Sequence, residues 1–326
     1  MAETFYNQIA ENKRNSFLLA LVVVVLFMGL GFSIGYAVSG ELSGAIVAMA
    51  IALAIGGGIS LASYFGGAAL VLRVSGAREV DATTAPQLIN VVQELSIAAN
   101  VPMPKVYIID DTAPNAFATG RDPQHSAVAI TSGLLEKLDR EELQGVLGHE
   151  LSHVRNFDIR FAMIVGTLVG SIALLADFFL RFSFWGGLGR GRSRDRDSGG
   201  NGLQIVFFVV AIVLSIVAPI VARFVQLAVN RQREYLADAS SVELTRNPYG
   251  LERALAKISA DPEVLEVANR ATQHMYFTNP IKKFEARSKG LFSTHPATVD
   301  RINRLRELSG EKPLDAAESA QLAELD

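Results

Sequence analysis

The 326 residues contain no cysteine, which excludes disulfides, thiolate metal sites and a cysteine nucleophile. Any metal must be held by nitrogen and oxygen. Histidine is also scarce, with five in the whole chain, so histidines at a defined spacing are not a by-product of composition. Charged residues make up only 19% and the formal net charge is −3. No basic stripe interleaved with aromatics occurs, so nucleic acid is not an expected partner.

What the chain has in excess is apolar surface. Half of its residues are hydrophobic and the mean hydropathy is +0.28, more apolar than an ordinary soluble domain of this length. The apolar residues are concentrated. Ser16 to Val38 and Gly44 to Leu72 carry no charge, Phe161 to Leu180 carries only Asp177, and Leu203 to Ala222 is uncharged and leads through Arg223 into a polar helix. Each run reaches the roughly 20 residues that a helix needs to cross a bilayer, whereas buried core helices seldom stay uncharged beyond about 14. Four transmembrane helices in two hairpins are expected. The first run could instead be a signal peptide, since Lys13 and Arg14 precede it and Ala37-Val38-Ser39 resembles a cleavage site. Its length, and a second span shortly after it, favour a retained anchor. Gly31 and Gly35, and the glycines at 56–58, 66 and 67, suit close helix packing in lipid. Asp177 has Arg181 one turn on, which points to a local ion pair rather than a proton path.

The chemistry-bearing signal is Gly148-His149-Glu150-Leu151-Ser152-His153. Four residues of helix rise set the two imidazoles on one face about 6 Å apart along the axis, within reach of one tetrahedral metal. Glu150 is rotated by about a third of a turn and can hold the water that such a metal activates. An exposed polar helix could spell the same pattern. Against that, Asp139 and Glu142 read as a capping box, and Leu143, Val146, Leu147, Leu151 and Val154 follow at helical spacing.

A hydrolytic zinc takes three protein ligands, so a further donor must come from elsewhere. Glu234 and Asp238, in Arg231-Gln232-Arg233-Glu234-Tyr235-Leu236-Ala237-Asp238, lie one helical turn apart. One carboxylate can ligate while the other hydrogen-bonds a ligand imidazole and sets its tautomer. Taken alone this is a solvated helix face; beside the pentad it marks Glu234 as the third ligand and Asp238 as the imidazole's partner. The chain between His153 and Glu234 must then cross the membrane an even number of times. A hairpin does so, with the Gly-, Arg-, Asp- and Ser-rich stretch within 183–202 as an expected mobile connection.

With Asn115-Ala116-Phe117-Ala118-Thr119-Gly120 upstream, and Thr294-His295-Pro296 and Arg301-Ile302 downstream, the chain resembles the HtpX-type membrane zinc metallopeptidases. These are relatives of the CAAX prenyl proteases within the gluzincin group. The resemblance runs over nearly the whole length. It implies a polytopic α-helical membrane protein with an α+β zincin-like catalytic domain, one Zn2+ per chain on His149, His153 and Glu234, and Glu150 as general base. It also implies a multi-pass enzyme of a bacterial or archaeal cytoplasmic membrane with its catalytic domain in the cytosol, clearing misfolded or damaged membrane proteins. The expected partners are such substrates and the lipid bilayer, with self-cleavage open to a protease of this kind. His295 is expected near the active site, as an oxyanion stabiliser or as the end of a loop before Pro296 opens a helix. One departure concerns Arg190, Arg192, Arg194 and Arg196, which would lie outside, against the cytoplasmic preference of basic residues. Lys13, Arg14, Arg73 and Arg78 flank the first hairpin on the other side and favour a cytosolic catalytic domain.

The expected layout is a first hairpin within 1–72 (spans about 16–38 and 44–72), catalytic sequence at 73–160, a second hairpin at 161–229, and catalytic sequence again at 230–326. Ala85 to Ala99 reads as a helix, and Lys105 to Ile109 and Ala127 to Thr131 as strands. Strand addition of an extended peptide to a sheet edge would give loose sequence preference. Ala127 to Thr131 is the candidate edge, with Ala127, Ala129 and Asn115 as candidate substrate contacts, unless it is a core strand. The acidic tail beyond Ser309 reads as a solvated helix or a disordered end. His125 and His274 default to the surface. The competing reading, a non-catalytic scaffold or holding chaperone stabilised by zinc, would have kept the ligands and lost Glu150.

Overall fold

The structure is a computed structural model that describes residues 5–185, 201–263, 265, 277 and 296–325. Most of the 183–202 stretch, His274 and His295 lie outside the described residues. The chain divides into two compact units, one of 13–63 with 164–226, the other of 64–163 with 227–326 and the first dozen residues.

In the first unit the apolar runs form helices. They belong to α1 (Phe5–Ser39), α2 (Leu42–Val74), α6 (Asp158–Trp185) and α7 (Asn201–Thr245). Each contains a segment long and apolar enough to cross a membrane: Leu21–Ser39, Leu42–Val74, Asp158–Arg181 and Gly202–Phe224. These match the four expected spans. α1 and α2 approach closely where Gly31 and Gly35 face α2: a Cβ on Gly35 would meet the Cβ of Ala48 at 2.5 Å and the Cα of Ala45 at 2.8 Å. The expectation is not general to the glycines of α2, because a Cβ on Gly57, Gly58 or Gly66 would meet nothing within 4 Å. Asp177 and Arg181 pair at 2.7 Å across one turn, as expected.

The second unit is built on a four-stranded sheet of β1 (Arg78–Glu79), β2 (Lys105–Ile109), β3 (Ala116–Gly120) and β4 (Ser126–Thr131), in the order β1-β2-β4-β3. β4 runs parallel to β2 and antiparallel to β3. Gly120 turns the chain between β3 and β4 at φ +144°, where a side chain would strike the backbone carbonyl of His125. Helices α3 (Pro86–Ala99), α5 (Arg140–Arg155), α8 (Pro248–Ala260) and α9 (Thr298–Ser309) supply the apolar faces of the core. Short α4 (Ser132–Lys137) links the sheet to α5, and the tail resolves as α10 (Ala316–Leu325).

α5 is specified locally. Asp139 accepts the N–H of Glu142 at 2.9 Å, and Glu142 accepts the N–H of Asp139 at 2.8 Å, closing the expected capping box. Glu142 is itself buried and paired with Lys257 at 2.7 Å. The five apolar residues read at helical spacing are all buried. α5 then meets α8 at backbone distance: a Cβ on Gly145 would lie 2.5 Å from the backbone nitrogen of Leu251. The pentad helix is thus clamped along its length, and its polar face has one place to go.

The expected edge strand is corrected by the sheet order. Ala127 to Thr131 lies inside the sheet: Ala127 is opposite Lys105 on one side and Thr119 on the other, and Ala129 is opposite Tyr107 and Phe117. Its residues are buried on both faces, so an incoming peptide can neither pair with its backbone nor touch Ala127 or Ala129. The outer strand on this side is β3.

Candidate metal centre

The polar face of α5 carries His149 and His153, and α7 brings Glu234 to them. The two Nε2 atoms are 3.2 Å apart. Oxygens of Glu234 lie 3.7 Å from Nε2 of His149 and 3.4 Å from Nε2 of His153. Donors bound to a tetrahedral zinc at about 2.0–2.1 Å are separated by about 3.3 Å, so these spacings are those of three corners of a coordination tetrahedron.

The partners behind the imidazoles strengthen the fit. Nδ1 of His149 is 2.8 Å from Asp238 and Nδ1 of His153 is 3.1 Å from Asp158. When each Nδ1–H donates to its carboxylate, both Nε2 atoms turn lone pairs towards each other and towards Glu234. Three acceptors converge with no proton between them, an arrangement that a cation stabilises. The charge balance agrees. Asp158, Glu234 and Asp238 are buried together with Arg233 and Arg301; three carboxylates against two guanidiniums leave a negative surplus even before Glu150 is counted, which a bound cation offsets.

Electrostatics separate the two rings. Burial pushes His149 down to about 4, with Arg301 acting in the same direction and Asp238 opposing. Against burial, Asp158 and Glu234 hold His153 up to about 10. Asp158 at Nδ1 and Glu234 at Nε2 thus both favour positive charge at His153, whether a proton or a metal cation carries it. Arg301, fully buried, donates from Nε to Asp238 at 2.9 Å and from Nη2 at 2.7 Å. Against burial, that pairing holds Asp238 below the ordinary carboxylate range.

Glu150 lies one residue beyond His149, and the backbone N–H of Ala118 on β3 favours its charged form. Burial pushes it up to about 7; Glu234 adds to the shift, while His153, the Ala118 N–H and Arg301 oppose it. A carboxyl group that titrates near neutrality can both accept and return a proton. β3 therefore presents its outer edge directly beside the base. One part of that edge is taken, because the N–H of Phe277 donates to the carbonyl of Ala116 at 2.7 Å and its ring stands edge-on to His149 at 5.0 Å.

The structure brings His149, Glu150, His153, Glu234 and Asp238 together as the sequence pattern suggests. Asn115 is buried at the start of β3, its side-chain oxygen accepting the N–H of Ala116 and its own N–H bonded to Thr131; it shapes the strand rather than offering a surface to a ligand. His125 ends a short turn capped by Asp122, its Nδ1 2.7 Å from the Asp122 carboxylate, and is exposed. Asp158, Arg233, Arg301 and Phe277 were not assigned from sequence. Arg301 stood only inside a matched motif, and a buried arginine has no local signature.

A model described as Peptidase family M48 matches residues 82–309. The chain is 45% identical over 303 residues to a Streptococcus uberis protein named Protease HtpX homolog, covering 93% of this chain and 99% of that one. Relatives of the same name from Lactobacillus helveticus and Tropheryma whipplei are 44% and 42% identical, each covered over 99% of its length by 93% and 94% of this chain. The crystal structure of S. mikatae Ste24p is similar at 18% identity and a TM-score of 0.47, over 92% of this chain and 67% of that one. The family match takes in every residue of the buried charge cluster, and the relatives match almost end to end, so the chain belongs to peptidase family M48 and is a multi-pass membrane metalloprotease.

Proposed function

We propose that this metalloprotease is a zinc endopeptidase of a bacterial or archaeal cytoplasmic membrane that cuts unfolded or damaged membrane proteins from the cytosolic side. The observation that carries the reading is the convergence of His149, His153 and Glu234 at tetrahedral spacing, with Glu150 next to His149 on α5 and its charged form favoured by the Ala118 N–H of β3. Nitrogen and oxygen donors at this spacing suit zinc. When bound, zinc supplies the Lewis acidity that activates water and polarises a peptide carbonyl. Glu150 takes the proton of the attacking water and returns it to the leaving amine. An extended substrate adds as a strand along β3, near Ala118, through backbone bonds that are indifferent to side-chain identity. His295, as the resemblance implies, would stabilise the developing oxyanion.

Substrate choice follows from reach. Glu234 lies ten residues along α7 from Phe224, where the apolar segment ends, or about 15 Å of helix rise. Segments emerging from the bilayer, and unfolded loops beside it, can enter without a long excursion. In lipid, purified protein is expected to cut an unfolded membrane protein much faster than a folded soluble one. Chelation should stop the reaction and added zinc restore it; equal rates on the two substrates would sink the substrate assignment.

Orientation is open to a separate measurement, because the chain has no cysteine of its own. Ser43→Cys, in the first turn of α2, should react with a membrane-impermeant thiol reagent applied to intact cells, and Glu311→Cys should not. The reverse pattern would place the catalytic unit outside.

A further inference from the structure

We infer that Asp158 is the positioning residue for His153, and that the left-handed backbone of Phe157 is what puts it there. The inference rests on the metal-site reading above. Asp158 follows His153 by five residues, and in an unbroken helix it would be rotated about 140° away from the imidazole. The helix is broken between them. α5 ends as the N–H of Asn156 bonds to Ser152 and that of Phe157 to Val154; Phe157 then takes φ +61°, a region that a bulky residue enters only when its surroundings impose it. α6 begins at Asp158, and the change of direction carries its carboxylate back to Nδ1 of His153 at 3.1 Å.

Arg233 braces that carboxylate from the other side. Its Nε lies 3.4 Å from Oδ1 of Asp158, its Nη1 donates to the Asp158 carbonyl at 3.4 Å, and its guanidinium stacks 3.6 Å above the ring of Phe161. The carboxylate has one oxygen on the imidazole and the other on the arginine. Rotation about its side chain would break both contacts, so Nδ1 of His153 has a fixed acceptor and Nε2 a fixed direction. Arg233 also adjoins Glu234 in the chain. The first turn of α6 and a neighbouring residue pair on α7 therefore set two of the three donors together. His149 has the parallel arrangement through Asp238 and Arg301, but there the carboxylate comes from a distant helix; at His153 the backbone itself is bent to supply it.

The test uses the full chain in lipid, loaded with one equivalent of zinc, and follows release of zinc to a competing chelator. Asp158→Ala is expected to release zinc about 10- to 100-fold faster than wild type. Asp158→Asn, which keeps an acceptor for Nδ1–H, should recover most of the loss, and in cobalt-substituted protein its visible bands should stay close to wild type while those of Asp158→Ala shift. Two variants leave Asp158 untouched: Phe157→Gly accepts the left-handed backbone and Phe157→Val resists it, and both lack the ring. Faster release from the valine variant than from the glycine variant is expected. The proposal is overturned if Asp158→Ala retains zinc like wild type while His153→Ala loses it or, should Asp158→Ala not fold, if Phe157→Val releases zinc no faster than Phe157→Gly. If His153→Ala also retains zinc like wild type, the metal-site reading fails and this proposal falls with it.

Discussion

Cleavage by Glu150→Gln is expected to fall about 10²- to 10⁴-fold below wild type, with zinc content unchanged. The amide has the size of the carboxylate, so the packing around it survives. What is lost is the proton acceptor. The direction of the Glu150 shift adds a second expectation: burial pushes this carboxyl up to about 7, which means that the surroundings disfavour its charge, and a neutral residue of the same shape should not destabilise the fold. Single-turnover cleavage of an unfolded membrane protein by the two proteins, at matched zinc content, is the measurement. A variant that cuts within tenfold of wild type would remove Glu150 from the base role. Should both proteins bind zinc and substrate while neither cuts, the holding-chaperone reading takes over.

Arg301→Ala carries the largest expected loss of stability. The guanidinium is 2% exposed and holds both oxygens of Asp238, with Glu234 3.7 Å from its Nη1. Its removal leaves two carboxylates buried side by side without their counter-charge, at a cost of about 3–5 kcal/mol. It also frees the carboxylate that holds Nδ1 of His149, so zinc should be retained about 10- to 100-fold less tightly. Lysine should not rescue it, because a single ammonium cannot reproduce the two-pronged contact with Asp238. Chemical unfolding in detergent and zinc competition read the two effects separately. A stability change below about 1 kcal/mol, the scale of an exposed ion pair, would show that the pairing contributes little.

Most of the local structure was legible because it is written in short periods. The spacing of His149 and His153, the capping box at Asp139 and Glu142, the four apolar runs, the helix at 86–99 and the strands at 105–109 and 126–131 all repeat or terminate within a few residues. The place of a strand within the sheet has no such period. Ala127 to Thr131 reads in the sequence as a candidate edge, and only pairing with β2 and β3 shows it to be central. A signal was present, since the run has no polar alternation and buried strands read as continuous apolar stretches. β3 was harder: its Ala-Phe-Ala-Thr-Gly sequence is dominated by small residues and stood out only through its likeness to a family motif.

The site shows the same division. By itself the sequence determined that any metal is held by nitrogen and oxygen, that two histidines share a helix face with a carboxylate beside them, and that Glu234 and Asp238 stand one turn apart. Tertiary structure set Glu234 against both Nε2 atoms and Asp238 behind His149, and it brought in Arg301 from α9, Arg233 from α7 and Asp158 across a left-handed turn. The reason is physical. A helix repeats every 3.6 residues whatever surrounds it, so neighbours on one face can be read off the chain. Which faces meet depends on how α5, α7 and α9 pack against one another, and a buried charge is placed by partners that lie far away in sequence.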